Sequence, residues 1–560
     1  MNQISQLPAA TNMDRISPAA RNLDRISQLP AGMLEHILSF LPFEEAARMS
    51  GVSTTWKNAY SSLPCLNFER YFLDKPIEKL VNAVDPILTY RKNQKVSVEK
   101  FSLRINQQWS SLFSNWIDTL VDCKIKELNL VLRSTRTGYT KLPEAIFNAK
   151  ALKVLKLSEF HIELPSNSTI MFSSSLRELH LQSVYFDEEF MQALCTSCIN
   201  LEVFMVRGLK GVTRFQTSLP KLKKLQVTAY YSKLRFVDIR SPNIEDLDVY
   251  GSNLCSDYFK SESDLNVVII TNCCKALKSL QLNGLNGVAM TQKWFDEIFT
   301  CLQNIEKLDL GDCNMLKTVK ISGVFLKQLR VYRCDNVITI ELDTPNLIEF
   351  SYDCSSLPNL KLKASASLEA NIKFDSEGGE TPNSDWYSKL VKFLDNFNHS
   401  MALELTCKSE KGLVIPKDVR EHLFPPLYGT NHVKVHIHNP LISYSVVDIL
   451  DGIFWLSPQL DTLSYSKFDL NTLEFSYEDA LGEDEKFCCT SQPWNCWRHK
   501  LKQVRIHNFK HKEEKQKLKN YFSTNTDILE IIEVPPAHID LESPGNKYIP
   551  KCPCPNCSSD

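Results

Sequence analysis

Neither sign of charge dominates this chain: 64 lysines and arginines face 66 aspartates and glutamates across 560 residues, for a formal net charge of −2. The ordinary electrostatic basis for holding nucleic acid or an anionic membrane is therefore missing, and neither is expected as a partner. Long apolar runs are missing too. Stretches such as Val267–Ile270 fall far short of the roughly 20 residues a membrane-spanning helix needs, and MNQISQLPAA has no basic segment leading into an apolar one, as a secretory signal would. There is no P-loop, no Rossmann glycine fingerprint, no His-Glu-x-x-His and no nucleophile elbow. The expectation is a chain without catalytic residues and without a cofactor. What is present is 43% hydrophobic and 23% charged residues, which excludes wholesale disorder. The length exceeds one compact core at roughly 100–200 residues per domain, so several domains or one extended repeat body are required.

The 18 cysteines are scattered and often occupy apolar positions, which reads as free thiols in a reducing, intracellular compartment, nucleus and/or cytoplasm. Cys195 and Cys198 have the spacing of a redox pair or half a zinc site, but they stand just before Leu201, where a buried cysteine is the usual packing choice. Cys552, Cys554 and Cys557 put three thiols in six residues and are the weak metal candidate, lacking a second paired knuckle. His432, His436 and His438 share one strand face with Lys434 among them, whose charge opposes a cation, so a solvated face is the better reading.

Residues 1–23 are rich in Asn, Ser, Ala and Pro and read as a disordered leader. From Asp24 the text changes. Leu29-Pro30 opens a helix in which Met33, Leu34, Ile37, Leu38 and Leu41 recur at helical spacing, with Pro30 suited to the first turn. Pro42 stops it, Glu44–Met49 begins a second helix, and Ser53 can cap a third that carries Trp56. Three short helices make a weak core, so part of this apolar surface calls for a partner. Leu29-Pro30, the run Ile37–Pro42, Ala46, and Val52-Ser53 followed by Trp56 resemble the F-box motif over about residues 24–64. The resemblance implies binding of a Skp-type adaptor, and through it a cullin, with Leu29, Pro30, Ile37, Leu38, Leu41, Pro42 and Val52 as adaptor contacts; Trp56 fits the domain's own core equally well.

After a helical link over about 65–120, a Leu-x-x-Leu-x-Leu pattern begins. It runs from Leu128/Leu130 through Leu155/Leu157, Leu179/Leu181, Phe204/Val206, Leu225/Val227, Leu247/Val249, Leu280/Leu282, Leu308/Leu310 and Leu329/Val331 to Phe350/Tyr352. The last apolar positions lie 21 to 33 residues apart, around the leucine-rich-repeat period. A short strand alternates faces, so its two apolar residues enter the core and the residue between them faces out. Stacked units bury jointly what one cannot bury alone. The predicted fold is α/β: a three-helix F-box followed by a curved leucine-rich-repeat solenoid, parallel strands on the concave face and helices or loops on the convex face. The outward, target-facing candidates are Asn129, Lys156, His180, Met205, Gln226, Asp248, Gln281, Asp309, Arg330 and Ser351. Their burial would contradict the register.

The repeats are expected over 121–370, a polar loop over 371–385 and irregular further repeats over 386–496, with strands at Leu403/Leu405, Val433/Val435/Ile437, Leu460/Leu463/Tyr465 and Leu501/Val504/Ile506. Residues 497–534 resemble the FBD segment of plant F-box/leucine-rich-repeat proteins, and 535–560 form a Cys/Pro-rich tail. The resemblance implies a substrate-recognition subunit of an SCF-type ubiquitin ligase. A scaffold that uses the F-box without cullin, or a small-molecule receptor of the plant hormone-receptor type, is the alternative.

Overall fold

The computed structural model describes residues 29–534 except 42, 70–75, 107–111, 134–138, 166–173, 230–232, 252–266, 271–273, 286–290, 375–381, 409, 439–443, 467–469, 478–496, 508–511 and 527–529. The leader and the cysteine tail, with Cys552, Cys554 and Cys557, lie outside the described residues, as does Pro42. The chain forms two compact units, residues 1–207 and 208–560.

The first unit opens with the three expected helices, Ala31–Phe40, Phe43–Met49 and Thr54–Ser62. Pro30 is the cap before the first helix rather than its first turn. The Ser53 hydroxyl accepts the Trp56 amide at 3.3 Å and so satisfies one of the donors that a helix start leaves open. The shared core is small: Leu34, Leu38, Ala46, Trp56, Ala59 and Leu63.

The link that follows is not only helical. Cys65–Phe68 and Lys100–Asn106 are paired parallel strands flanking the helix Ile77–Gln94. The alternation of Phe101, Leu103 and Ile105, each buried, was the available signal. Arg91 on that helix is fully buried. Its guanidinium donates to the Leu63 carbonyl at the end of the third helix and to the Ser97 carbonyl, thereby tying the helical head to the first strands. From Lys100–Asn106 the parallel ladder continues through Glu127–Arg133, Val154–Ser158, Glu178–Gln182 and Val203–Arg207.

The second unit stacks ten parallel strands from Lys224–Thr228 to Thr462–Ser466. Asn371–Phe374, expected in a polar loop, is the end of the strand Glu369–Phe374, whose Ala370, Ile372 and Phe374 are buried. The FBD-like segment supplies the strand Leu501–His507, which pairs antiparallel with Leu470–Tyr477, then the helix Lys512–Asn525 and the strand Glu530–Val534. Trp497 stacks on Phe454 with centroids 4.3 Å apart, and Phe475 and Phe522 close the same aromatic cluster. The segment thus packs aromatic side chains against the helix Val446–Leu456 and the strand Leu470–Tyr477.

The return paths differ from repeat to repeat. The units of 25 and 28 residues hold the helices Glu188–Ser197 and Gln292–Cys301. The units of 21 or 22 residues hold a second short strand, as do the 33-residue unit and the one that ends at Ile372. These strands form two three-stranded parallel sheets, one of Arg214–Thr217, Phe236–Ile239 and Val267–Ile270, the other of Thr318–Ser322, Thr339–Asp343 and Asn359–Lys363. The expectation of helices or loops on that side is corrected accordingly: ten helical residues plus two turns do not fit in a short repeat.

After six of the ladder strands the backbone turns in the left-handed region, at Glu159, Ser183, Gly208, Gly284, Asp312 and Arg333. The amide of the turning residue still reaches the neighbouring repeat, as Ser183 does to the Arg207 carbonyl at 2.7 Å and Asp312 to the Tyr332 carbonyl at 3.0 Å. Just beyond, three buried cysteines form a ladder: the Cys313 amide donates to Cys334 Sγ at 3.4 Å and the Cys334 amide to Cys354 Sγ at 3.3 Å. Packing and backbone satisfaction account for these thiols.

Candidate functional site

Two surfaces carry the expected functional residues. On the helical head, Leu34 and Leu38 lie four residues apart on the inward face of the first helix and are buried. Leu38, assigned above to an adaptor contact, is only 1% exposed, so it belongs to the domain's own core, alongside Trp56. Leu29, Ile37 and Leu41 are half-buried against that core, Pro30 is exposed, and Val52 is 59% exposed. The sequence reading missed Phe40, which is 75% exposed and meets His36 edge-on at 4.8 Å, and it did not class Met33, also exposed, as a contact. The signal was present: Met33, Ile37 and Phe40 follow i, i+4, i+7 and make a second apolar stripe beside the core-facing one. One helix in a small bundle needs only one such stripe.

The second surface is the outward face of the ladder strands. In the first unit Asn129, Lys156, His180 and Met205 are mutual ladder partners and form one row. They are half-buried to exposed. A shallow concavity runs along them and along Val131, Ser158, Gln182 and Arg207 of the next row. Asn129 donates to Glu69 Oε1 at 2.6 Å, and His180 Nε2 lies 3.4 Å from Glu178 Oε2. Burial first, then the Lys156 and Arg207 charges, hold the His180 imidazolium below the usual histidine range, against the opposing pull of Glu178.

In the second unit Gln226, Asp248, Gln281, Asp309, Arg330 and Ser351 likewise form one ladder row. Gln281 and Ser351 are half-buried and Arg330 is exposed, but Gln226, Asp248 and Asp309 are buried and do not offer the open surface expected of them. Their pairing positions are those that alternation requires, so register is not the cause. Gln226 Nε2 approaches Asp248 Oδ2 at 3.5 Å, and the Tyr250 hydroxyl donates to Gln281 Oε1 at 2.8 Å. Burial pushes the Asp248 carboxyl up to about 6 and raises that of Asp309.

No group of three or more His, Cys, Asp or Glu among the described residues could hold a metal ion. Cys198 is buried, and burial pushes its thiol up to about 12, while Cys195 is half-buried on the preceding helix; this suits packing rather than thiolate chemistry. His432 and His438 are exposed and His436 half-buried, with His432 against the Thr462 hydroxyl and His436 near Glu404. No helix among the described residues is long and apolar enough to cross a membrane.

The F-box domain family matches residues 26–66. The leucine-rich repeats of FBD-associated F-box protein At5g56370 match 113–271, and the leucine-rich-repeat domain of At1g61320/AtMIF1 matches 265–535. Among Arabidopsis thaliana relatives, F-box/FBD/LRR-repeat protein At5g56420 is 29% identical over 36% of this chain and 48% of its own length. F-box/FBD/LRR-repeat protein At3g51530 is 26% identical over 63% of this chain and 73% of its own. The chain spans between about two fifths and two thirds of the length of the first curated relatives it matches. Among solved structures, a TLR13–ssRNA13 complex is 14% identical over 68% of this chain and 61% of that one, with a TM-score of 0.31, too low to carry an argument.

Proposed function

We propose, on the premise that this chain carries an F-box domain followed by leucine-rich repeats and has Arabidopsis F-box/FBD/LRR-repeat proteins as relatives, that it is a substrate-recognition subunit of an SCF-type ubiquitin ligase. The observation that carries the reading is the open apolar surface of the head: Met33 and Phe40 on the first helix and Val52 beyond the second are exposed on a domain whose core holds six buried residues. Exposed apolar side chains on so small a bundle are an interaction surface, here for a Skp-type adaptor that brings a cullin. The outward strand face takes the target protein. The receptor performs no bond chemistry; it raises the effective concentration of target lysines near the ubiquitin-charged enzyme, wherever in the cell, nucleus or cytoplasm, the complex assembles. Arg91 supports this division of labour, because its buried hydrogen bonds fix the head to the first repeats and so fix where a target would be held.

The test is a pull-down from plant extract with the full-length protein and a Pro30→Ala/Val52→Ala variant, probed for Skp-type adaptor and cullin. Both partners should be recovered with the native chain and lost with the folded variant. Adaptor without cullin would point to a scaffold, and recovery of neither would end the ligase reading.

A further inference from the structure

The residue just before each ladder strand is charged through most of the array, and neighbouring repeats pair there. Glu99 meets Lys126, Arg177 meets Glu202 at 3.2 Å, Glu245 meets Lys278 at 2.9 Å and Glu306 meets Lys327 at 2.6 Å. The pattern stops after Lys327. At the same position the next repeats place Ile348, whose amide donates to the Lys327 carbonyl, then Leu368, then Met401, whose amide donates to the Leu368 carbonyl. Leu368 is buried, but Ile348 and Met401 are exposed, and so are Val324 and Phe325 on the turn that leads into Gln328–Tyr332. The Asn346 side chain donates to the Val324 carbonyl at 2.7 Å, so that turn adjoins the repeat of Ile348. Charge pairing lapses in the first outward row at the same place. Glu349 and Glu369 are ladder partners, and like charges set directly opposite repel. Among the described residues neither makes an ion pair: Lys327 is held by Glu306 and Lys373 by Asp353, and Arg330 stands one row on, between Asp309 and Ser351. Asp309, 5% exposed, feels the Glu349 charge, and its Oδ1 has no hydrogen-bond partner, Lys307 attending the other oxygen at 3.6 Å.

We propose that this edge of the second unit is a docking surface for a basic segment of the target protein, its lysines or arginines set against Glu349 and Glu369 and its apolar side chains against Phe325, Ile348 and Met401. The proposal rests on the receptor reading above and names the chemistry of its target. Neighbouring strands stand about 4.8 Å apart, close enough for one cation to lie between both carboxylates and relieve their repulsion. Exposed apolar residues rimmed by charged ones are the mark of an interaction surface. A second copy of the same face fits less well, because a two-fold contact would set the carboxylates against themselves. A polyanion or an anionic membrane meets the same repulsion.

The experiment uses the full-length protein and three fluorescent peptides: one of lysines and leucines spaced by glycine, one with glutamate for lysine, and one with serine for leucine. Anisotropy titrations at low and at physiological salt compare the native chain with Glu349→Gln/Glu369→Gln and with Ile348→Ser/Met401→Ser. The proposal expects the lysine and leucine peptide to bind at least tenfold tighter than either of the others, with at least a fivefold loss in each double variant and a weakening with salt for the native chain. The glutamine variant removes a repulsion at the surface, so it should melt no lower than the native chain, and binding lost there is not folding lost. Binding unchanged in the glutamine variant, equal binding of the glutamate peptide, or self-association of the native chain that the same variant abolishes would overturn the proposal. Adaptor capture from plant extract is read in parallel and should match the native chain in both variants. Peptide binding without adaptor capture would count against the receptor reading alone, and adaptor capture without charge-dependent peptide binding would count against this surface alone.

Discussion

The Tyr332 hydroxyl donates a hydrogen bond to the Asn283 side-chain oxygen two strands away, and it does so across Gly311, which lies between them in the ladder. A Cβ at position 311 would run into Asn283 Oδ1 and the Tyr332 ring. The missing side chain is what lets a tyrosine lie over the strand. Gly311→Ala should therefore displace the ring and break the bond, destabilising the second unit by about 1–3 kcal/mol, the ordinary cost of overpacking. A denaturant melt reads the loss, and in a Tyr332→Ala background the same glycine substitution should cost markedly less.

Leu38 and Val52 separate core from contact on the helical head. Leu38→Ala should lower the stability of the head by about 2–5 kcal/mol, measurable as faster amide exchange across residues 31–62. Val52→Ala, at an exposed position, should stay within about 0.5 kcal/mol of the native stability and yet reduce adaptor capture. If Val52→Ala captured adaptor normally, Val52 would be removed from the contact set.

Asp248 makes stability depend on pH in a defined direction. Burial raises its carboxyl to about 6 in the folded protein, against about 3.9 for an unfolded aspartate. A folded value above the unfolded one means that the native state takes up a proton which the unfolded chain releases, so stability from this residue rises as pH falls from about 6 to about 4. Above pH 6 the ionised carboxylate costs up to about 3 kcal/mol. Asp248→Asn should melt higher than the native chain at pH 7.5, and the difference should shrink towards pH 4.

Glu159 turns the chain with φ at 67° directly after its strand, where Gly208 and Gly284 serve the same position in other repeats. A side chain in that region costs about 1–2 kcal/mol, partly offset because glycine also loosens the unfolded chain. Glu159→Gly should accordingly raise the stability of the first unit by up to about 1 kcal/mol, seen as a shift of its denaturant midpoint with an unchanged slope.

Sequence periodicity sufficed for the repeats because burial in a strand has a period of two and each Leu-x-Leu pair announces it locally. The ladder partners of Asn129, Lys156, His180 and Met205 followed from that alone. The strand Lys100–Asn106 was missed although its alternation is as regular, since it precedes the first full repeat signature. Phe40 was missed because a helix with two apolar stripes looks like a helix with one broad stripe until the core-facing side is known.

The sequence alone determined the order of the parts and the register of the strands, because both depend on neighbours along the chain. Only the tertiary structure decided that Leu38 is core while Phe40 is surface, that Asp248 and Asp309 are buried, and that Lys156, His180 and Arg207 line one concavity. Those outcomes turn on residues tens of positions apart meeting across a ladder, and burial there is set by the size of the neighbours rather than by the residue itself.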